Sequence, residues 1–394
     1  MNSALSIPGQ PSPAYRWLII ILSLATYTIS MVIRYAWPPL APVVLPVLEA
    51  PVSEAGAYMS AFYLGYVLTQ IPAGVLADRF GVRGLLALSL LVQAGAAYAF
   101  GNIESFQSGL PLRVLSGLSG GLVYASCFRA VVNWFPARER GLAFGLLLVG
   151  PSLGLTLANA LAPGLEPLWG WRGVFQSMGW LALGCALLVL AFMRESPTAA
   201  SGSPLAAPQP GAFLSGLKFV LGDRNLRLLC LAGFCYIWAF VGFVTWGNIY
   251  LKDILQLSLS QAGSIMSGMA VLSLVLAPPA GFLARDSRRS RQLLIISSLL
   301  LVAGVLFFGQ TASVPLLWAL TLTVGLACGF MNPIISLVVS YYAPKKWAGA
   351  AGGFTACIWQ SAGVLSPLFC GWTVGQGAPS AWSGSSWPPA RPSA

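Results

Sequence analysis

The chain has 394 residues, 57% apolar and only 8% charged, against roughly 25% charged in an average soluble domain. So much apolar surface cannot be hidden in a soluble fold of this length, and it excludes disorder, fibrous proteins and secreted disulfide scaffolds. A polytopic membrane protein remains, with helices apolar nearly all round. Histidine is absent, which removes Ser-His-Asp and Cys-His catalysis, histidine metal sites and histidine proton relays. The seven cysteines form no CxxC pair and lie in or beside apolar runs, as small packing residues do. No GxxxxGK[ST] is present, which argues against ATP-driven transport. No metal or cofactor is expected.

The first 15 residues are Pro/Ser-rich with no charged n-region, so no cleavable signal peptide is read there and the first apolar run stays as a helix. Eleven apolar segments are long enough to span: 17–47, 56–76, 84–103, 109–132, 141–164, 173–193, 228–250, 260–284, 292–310, 314–342 and 348–373. About 20 helical residues cross the hydrocarbon core. With the N-terminus in the cytoplasm, 16 of the 21 basic residues fall on the cytoplasmic side; Arg172, Lys252 and Arg391 fall outside, and Arg34 and Arg113 fall within spans. The net charge of +11 is therefore a topology signal rather than a nucleic-acid patch. The expected location is the cytoplasmic (inner) membrane.

The chain divides into a six-helix half at 1–194, a central cytoplasmic loop at 195–227 containing a flexible Pro/Ser/Ala run, and a second half at 228–373. The halves repeat: PAGVLA at 72–77 returns as PAGFLA at 279–284, and PARERGLAFG at 136–145 returns as PKKWAGAAGG at 344–353. Parallel six-helix halves are one transporter plan. The counterpart of the sixth span should fall near 381–401, where the chain reads AWSGSSWPPARPSA. We read 374–394 as an atypical disordered tail, left by a truncation or frameshift near Trp372, with the twelfth helix missing.

GVLADRFGVR at 74–83 closely resembles the signature loop between the second and third helices of the major facilitator superfamily. RVLSGLSGG at 113–121 resembles its fourth-helix motif, GLLLVGPSLG at 145–154 its fifth-helix motif, and GWRGVF at 170–175 also fits. The resemblance covers residues 15–373 and implies an all-α fold of two pseudo-symmetric six-helix halves, here with eleven spans. Arg34, WFPARER at 134–140 and Trp246–Tyr250 point to the small-anion branch, including the anion:cation symporters. That branch implies an acid beside the first-helix arginine and another on the fourth helix. Here position 33 is Ile, and no carboxylate lies between Glu104 and Glu139.

Arg34 is the sharpest candidate. It sits deep in the first span, where a charge costs roughly 2.5–3.5 kcal/mol on insertion scales, and its planar fork suits bidentate carboxylate or phosphate binding. Snorkelling to the outer surface is the alternative. Arg113 either binds anions and gates, or donates to backbone carbonyls of a neighbouring helix. Tyr63, Tyr66 and Gln70 share one helix face and, with Trp246, Asn248, Asn332, Trp359 and Gln360, are candidates to line a polar path. The resemblance assigns gating to Gly74, Asp78, Arg79, Gly81 and Arg83, and to Arg138, Glu139 and Arg140.

The expected function is transport of a small, organic anion by alternating access, secondary active or by exchange, in a monomer whose partners are the bilayer, the anion and a coupling proton, cation or counter-anion. No Asp, Glu or His is available near the midplane, which fits exchange or facilitated diffusion better than carboxylate-mediated symport; a proton riding on the substrate stays open. Drug or metabolite efflux by proton antiport, and a truncated non-functional transporter, are the alternatives. A polytopic enzyme is the weakest reading, since no nucleophile–base constellation appears.

Overall fold

The computed structural model describes residues 15–70, 72–136, 138–195, 218–284, 286–342 and 348–376. All its regular elements are helical. They are α1 (Tyr15–Tyr35), α2 (Trp37–Val47), a 3₁₀ turn (Val52–Gly56), α3 (Ala57–Gln70), α4 (Pro72–Phe80), α5 (Val82–Phe100), α6 (Phe106–Trp134), α7 (Arg140–Leu147), α8 (Val149–Phe192), α9 (Arg224–Ile249), a π-helical turn (Tyr250–Ile254), α10 (Leu259–Leu283), α11 (Ser287–Phe308), α12 (Val314–Tyr342) and α13 (Ala348–Gly375).

Among the described residues, each of the eleven apolar segments is mostly helical. Among the described residues, eight helical stretches are by themselves long and apolar enough to cross a bilayer; one of these, Arg140–Phe192, has 53 residues. At 1.5 Å per residue such a length exceeds the roughly 30 Å hydrocarbon core by more than twofold. The chain breaks it at Gly170, whose φ of 64° and ψ of 166° lie outside the helical region. Glycine alone adopts that conformation at no steric cost, so the break predicted between the fifth and sixth spans sits where GWRGVF begins.

The first span is likewise two helices. α1 ends at Tyr35, and α2 carries Pro38, Pro39, Pro42 and Pro46. Proline at the first turn costs no hydrogen bond, whereas later prolines remove one each. The Trp37 indole donates to the Ala55 carbonyl at 2.7 Å, tying α2 to the loop that leads into α3. The connection read as 195–227 contains helix where it is described. Residues 218–222 are helical, and α9 starts at Arg224, capped by Asp223, which accepts from the Leu226 amide at 2.9 Å. The linker run 196–217, residues 343–347 of the second repeat and the tail from 377 lie outside the described residues.

Small residues let the helices approach. A Cβ at Gly117 would stand 1.9 Å from the Phe62 carbonyl oxygen, and one at Gly65 2.1 Å from that of Val114, so α3 and α6 touch backbone to backbone. Gly154, in the GP motif, packs the same way on Met31 and the Thr28 carbonyl of α1. The repeated segments occupy matching places: 72–77 runs along α4 before α5, and 279–284 ends α10 before α11.

Residues 15–192 and 224–375 meet mainly at one end of the bundle. There α8 packs on α10, α3 and the 3₁₀ turn on α13, and α2 on α9. Glycines make the contact: Gly263 lies against the Asn159 carbonyl, Gly56 against that of Pro367, and Gly371 against that of Ser53, each close enough that a Cβ would fall within 2.2 Å of the oxygen. At the opposite end α4 and α7 make their principal contacts within 15–192.

Candidate functional site

Arg34 lies at the end of α1, one residue before the helix gives way to proline-rich α2, and is only 3% exposed. Its guanidinium carbon stands 3.9 Å from the ring centre of Tyr63, 5.0 Å from that of Tyr66, 5.2 Å from Tyr35 and 5.4 Å from Phe62. Such contacts hold a cation over the negative face of an aromatic ring. Nη1 lies 4.0 Å from the Met31 sulfur, the side chain is in hydrogen-bonding reach of Tyr63, and Nε is buried without a partner. Among the described residues no carboxylate pairs with Arg34. Snorkelling is therefore not how this arginine is accommodated.

The cluster is larger than the sequence indicated. Tyr27, seven residues before Arg34 and so on the same helix face, interacts with Arg34, Tyr66 and Tyr124. From the other side of the interface Tyr236 of α9 faces Tyr35 and Tyr63 and is in hydrogen-bonding reach of Cys328 on α12. Gly363 of α13 makes room for the Tyr63 ring, which a Cβ there would meet at 2.2 Å. The site thus sits between the two packed parts of the chain. It offers one fixed positive charge, several phenols and no negative charge.

Arg113 is placed elsewhere. It is 2% exposed, and its guanidinium faces Phe100 at 4.5 Å and Phe175 at 5.2 Å, with Trp37 at 6.0 Å. Nη1 donates to the Ile33 carbonyl at 3.0 Å, while Nε and Nη2 have no partner. Of the two readings of Arg113, the geometry matches the donor to a neighbouring helix, inside an aromatic core of Tyr58, Phe100, Phe106 and Phe175.

The remaining candidates divide. Gln70 is half-buried and within reach of the Tyr66 hydroxyl. Trp246 is buried against Gly371. Asn248 donates its amide to the Asn159 side-chain oxygen at 2.9 Å, a bond that crosses between α9 and α8. Asn159 in turn donates to the Leu155 carbonyl at 3.0 Å. Trp359 donates to the Leu229 carbonyl at 3.1 Å, and the Gln360 oxygen is buried without a partner. Asn332 is exposed and does not join the Arg34 cluster. Asn159 and Gln93 were missed. Gln93 donates to Ser30 at 2.9 Å and to the Ser116 carbonyl at 3.3 Å. A buried amide inside a span is the signal that singled out Asn248, and it applied equally to both.

The residues assigned to gating bind within residues 15–195. Gly81, with φ of 75°, turns the chain into α5, whose first amides are capped by Glu195: Val82 N–H at 3.3 Å and Arg83 N–H at 2.8 Å. The Arg83 guanidinium donates to the Leu190 carbonyl. Glu139 pairs with Arg16 at 2.9 Å and with largely exposed Arg138 at 3.5 Å, while Arg140 donates to the carbonyls of Phe135 and Val132. Arg79 is exposed beside Phe80. The side-chain surroundings of Gly74 and Asp78 lie outside the described residues. In the second copy Asp286 caps α11, accepting from the Arg289 amide at 2.8 Å.

The arginine and its tyrosines thus lie between two packed helical parts of an all-helical membrane fold. The family profile described as Major Facilitator Superfamily matches residues 18–367. The chain belongs to the major facilitator superfamily. It is a multi-pass membrane transporter. It is 26% identical over 389 residues to a protein of Cupriavidus necator named as a probable sulfoacetate transporter, covering 91% of this chain and 87% of that one. It is 25% identical over 401 residues to a probable galactarate/D-glucarate transporter of Bacillus subtilis, covering 93% and 87%. A bacterial homologue of the human lysosomal transporter Spinster, solved in an inward-facing and unoccupied conformation, has the same fold: TM-score 0.81, 17% identity, 93% of this chain and 84% of that one.

Proposed function

We propose that the chain carries a small organic anion across the cytoplasmic membrane, with Arg34 as its electrostatic anchor. The observation that carries this reading is a buried guanidinium, walled by tyrosines, with no carboxylate partner. An unpaired buried charge is costly, and a bound carboxylate or sulfonate relieves that cost with bidentate hydrogen bonds. The names of the relatives, transporters of sulfoacetate and of galactarate or D-glucarate, support an acidic substrate.

The carrier works as two halves, 1–194 and 228–373, joined by the loop between them and rocking about the Arg34 site. The basic residues put the N-terminus in the cytoplasm. In that orientation the glycine-lined contacts seal the outer end, and the conformation is inward-facing. Tyr63, Tyr66, Gln70, Trp246 and Gln360 complete the lining. The ties at Glu195, Arg83 and the Arg16–Glu139 pair keep the first half rigid as it moves. The monomer is the working unit.

The test is saturable uptake of labelled carboxylates and sulfonates into proteoliposomes. Arg34→Ala should weaken half-saturation by about 10- to 100-fold, the worth of one charge-assisted pair, and Arg34→Lys should keep part of it. Unchanged uptake by correctly folded Arg34→Ala rejects the assignment.

A further inference from the structure

Resting on that reading, we infer that the site is built for organic anions of a single negative charge and discriminates against dianions of the same skeleton. Three observations carry the inference. First, Arg34 and Arg113 are the only basic residues within the spans, and the Arg113 guanidinium is committed elsewhere. It donates to the Ile33 carbonyl at 3.0 Å and faces Phe100 at 4.5 Å and Phe175 at 5.2 Å, inside the aromatic core of the first part. Second, the other part of the chain brings no charge to the site: residues 228–251, 254–284, 292–344 and 347–390 contain no Lys, Arg, Asp or Glu. Third, the polar groups around Arg34 are engaged with one another. Tyr63 is in hydrogen-bonding reach of Arg34 and Tyr35, Tyr66 of Gln70, and Tyr236 of Cys328.

The count of charges sets the preference. A guanidinium and one carboxylate or sulfonate form a planar pair with two parallel hydrogen bonds and no net charge. A second carboxylate on the same small molecule must lie close to that pair. Its surroundings there are phenols, aromatic rings and a thiol, none of which carries a positive charge in either protonation state. It therefore loses water and gains no cation, which is the costly way to bury a charge. The phenols can donate to it only by giving up the partners they already reach, so their hydrogen bonds return little over those to water. A hydroxyl in the same place brings no charge and is far cheaper to bury. One unpaired charge should set the two kinds of anion apart by about 100-fold, the lower end of what such a group costs.

The experiment uses two matched pairs of labelled probes in proteoliposomes at about pH 7, where their carboxyl groups are ionised. D-Gluconate and D-glucarate share a carbon skeleton and differ only in whether the last carbon is an alcohol or a carboxylate. Isethionate and sulfoacetate share a sulfonate and differ in the same way. The expected result is that, in a transported pair, the monoanion half-saturates at a concentration about 100-fold below that of the dianion. A gap under about tenfold, or a preference for the dianion, overturns the inference while leaving anion transport intact. No uptake of any of the four strikes the anion reading itself and the inference with it. Gln70→Lys places a second cation beside Tyr66 and should narrow the gap within each pair. Since that variant can misfold, the wild-type ratio decides by itself.

Discussion

Asn159 and Asn248 show how a single amide can matter in this fold. Their side chains form a hydrogen bond at 2.9 Å between α8 and α9, and both residues are 1% exposed. Removing one partner leaves the other buried and unsatisfied, which costs about 1–3 kcal/mol, whereas removing both costs less than the sum. Thermal unfolding in detergent should therefore show Asn159→Ala and Asn248→Ala each destabilised, with the double variant losing less than the two losses added. At this scale the sequence was legible wherever a residue was out of place for its solvent. Arg34, Tyr63, Tyr66 and Asn248 were all read as polar groups in an apolar span; Tyr63 and Asn248 touch across the two packed parts, and Arg34 lies against the rings of Tyr63 and Tyr66. Tyr236 and Cys328 were not legible, because a tyrosine and a cysteine are ordinary residues in a membrane helix. Only the fold brings Tyr236 to Tyr35 and Tyr63, with Cys328 beside it. Arg113 was read with Arg34 because both are spans' arginines; which way its guanidinium points depends on Phe100 and Phe175, 13 positions before and 62 after it in sequence.

Helices here are shaped by glycine and proline more than by caps. The break between the fifth and sixth spans was visible in sequence, whereas 17–47 was read as one span and the split before Trp37 was not read from its prolines. The helical start at 218 was not visible, because a short helix next to a Pro/Ser/Ala run gives no periodic signal. Two substitutions test the glycines. A side chain at Gly371 would meet the Ser53 carbonyl at 2.1 Å; Gly371→Ala should hold the sealed end apart, so that transport is lost while the purified protein still unfolds cooperatively, and a cysteine placed at Ser53 becomes accessible to a thiol reagent. Gly81 has φ of 75°, and a Cβ there would stand 2.5 Å from a Glu195 carboxylate oxygen. Gly81→Ala should cost about 1–2 kcal/mol, and Glu195→Ala should relieve part of that loss in the double variant.

For the whole molecule, the asymmetry of the two ends gives a direct measurement. Backbone amides of 52–56 and 259–263, at the packed end, should exchange with deuterium more slowly than those of 72–80 and 276–283 at the other end, because opening the former requires the two parts to separate. Adding a transported anion should change this difference, and an anion that leaves both sets untouched does not move the equilibrium between orientations. The membrane class, the positions of the helices and the repeat were readable because composition and spacing encode them directly. Which end is packed was not, because the same contacts must form and break during turnover and neither state is favoured by hydropathy.

The long uncharged stretches 254–284, 292–344 and 347–390 bear on electrical behaviour. A full charge moved across the bilayer exchanges roughly 2.3 kcal/mol with each 100 mV of membrane potential. Helices α10, α12 and α13 carry no such charge, so the net charge of the loaded site is that of Arg34 with its anion: zero for a monoanion and one negative for a dianion. Voltage thus has almost nothing to pull on when a monoanion is loaded, and the flux of a monoanion should respond less to the membrane potential than that of a dianion, which leaves one negative charge to move.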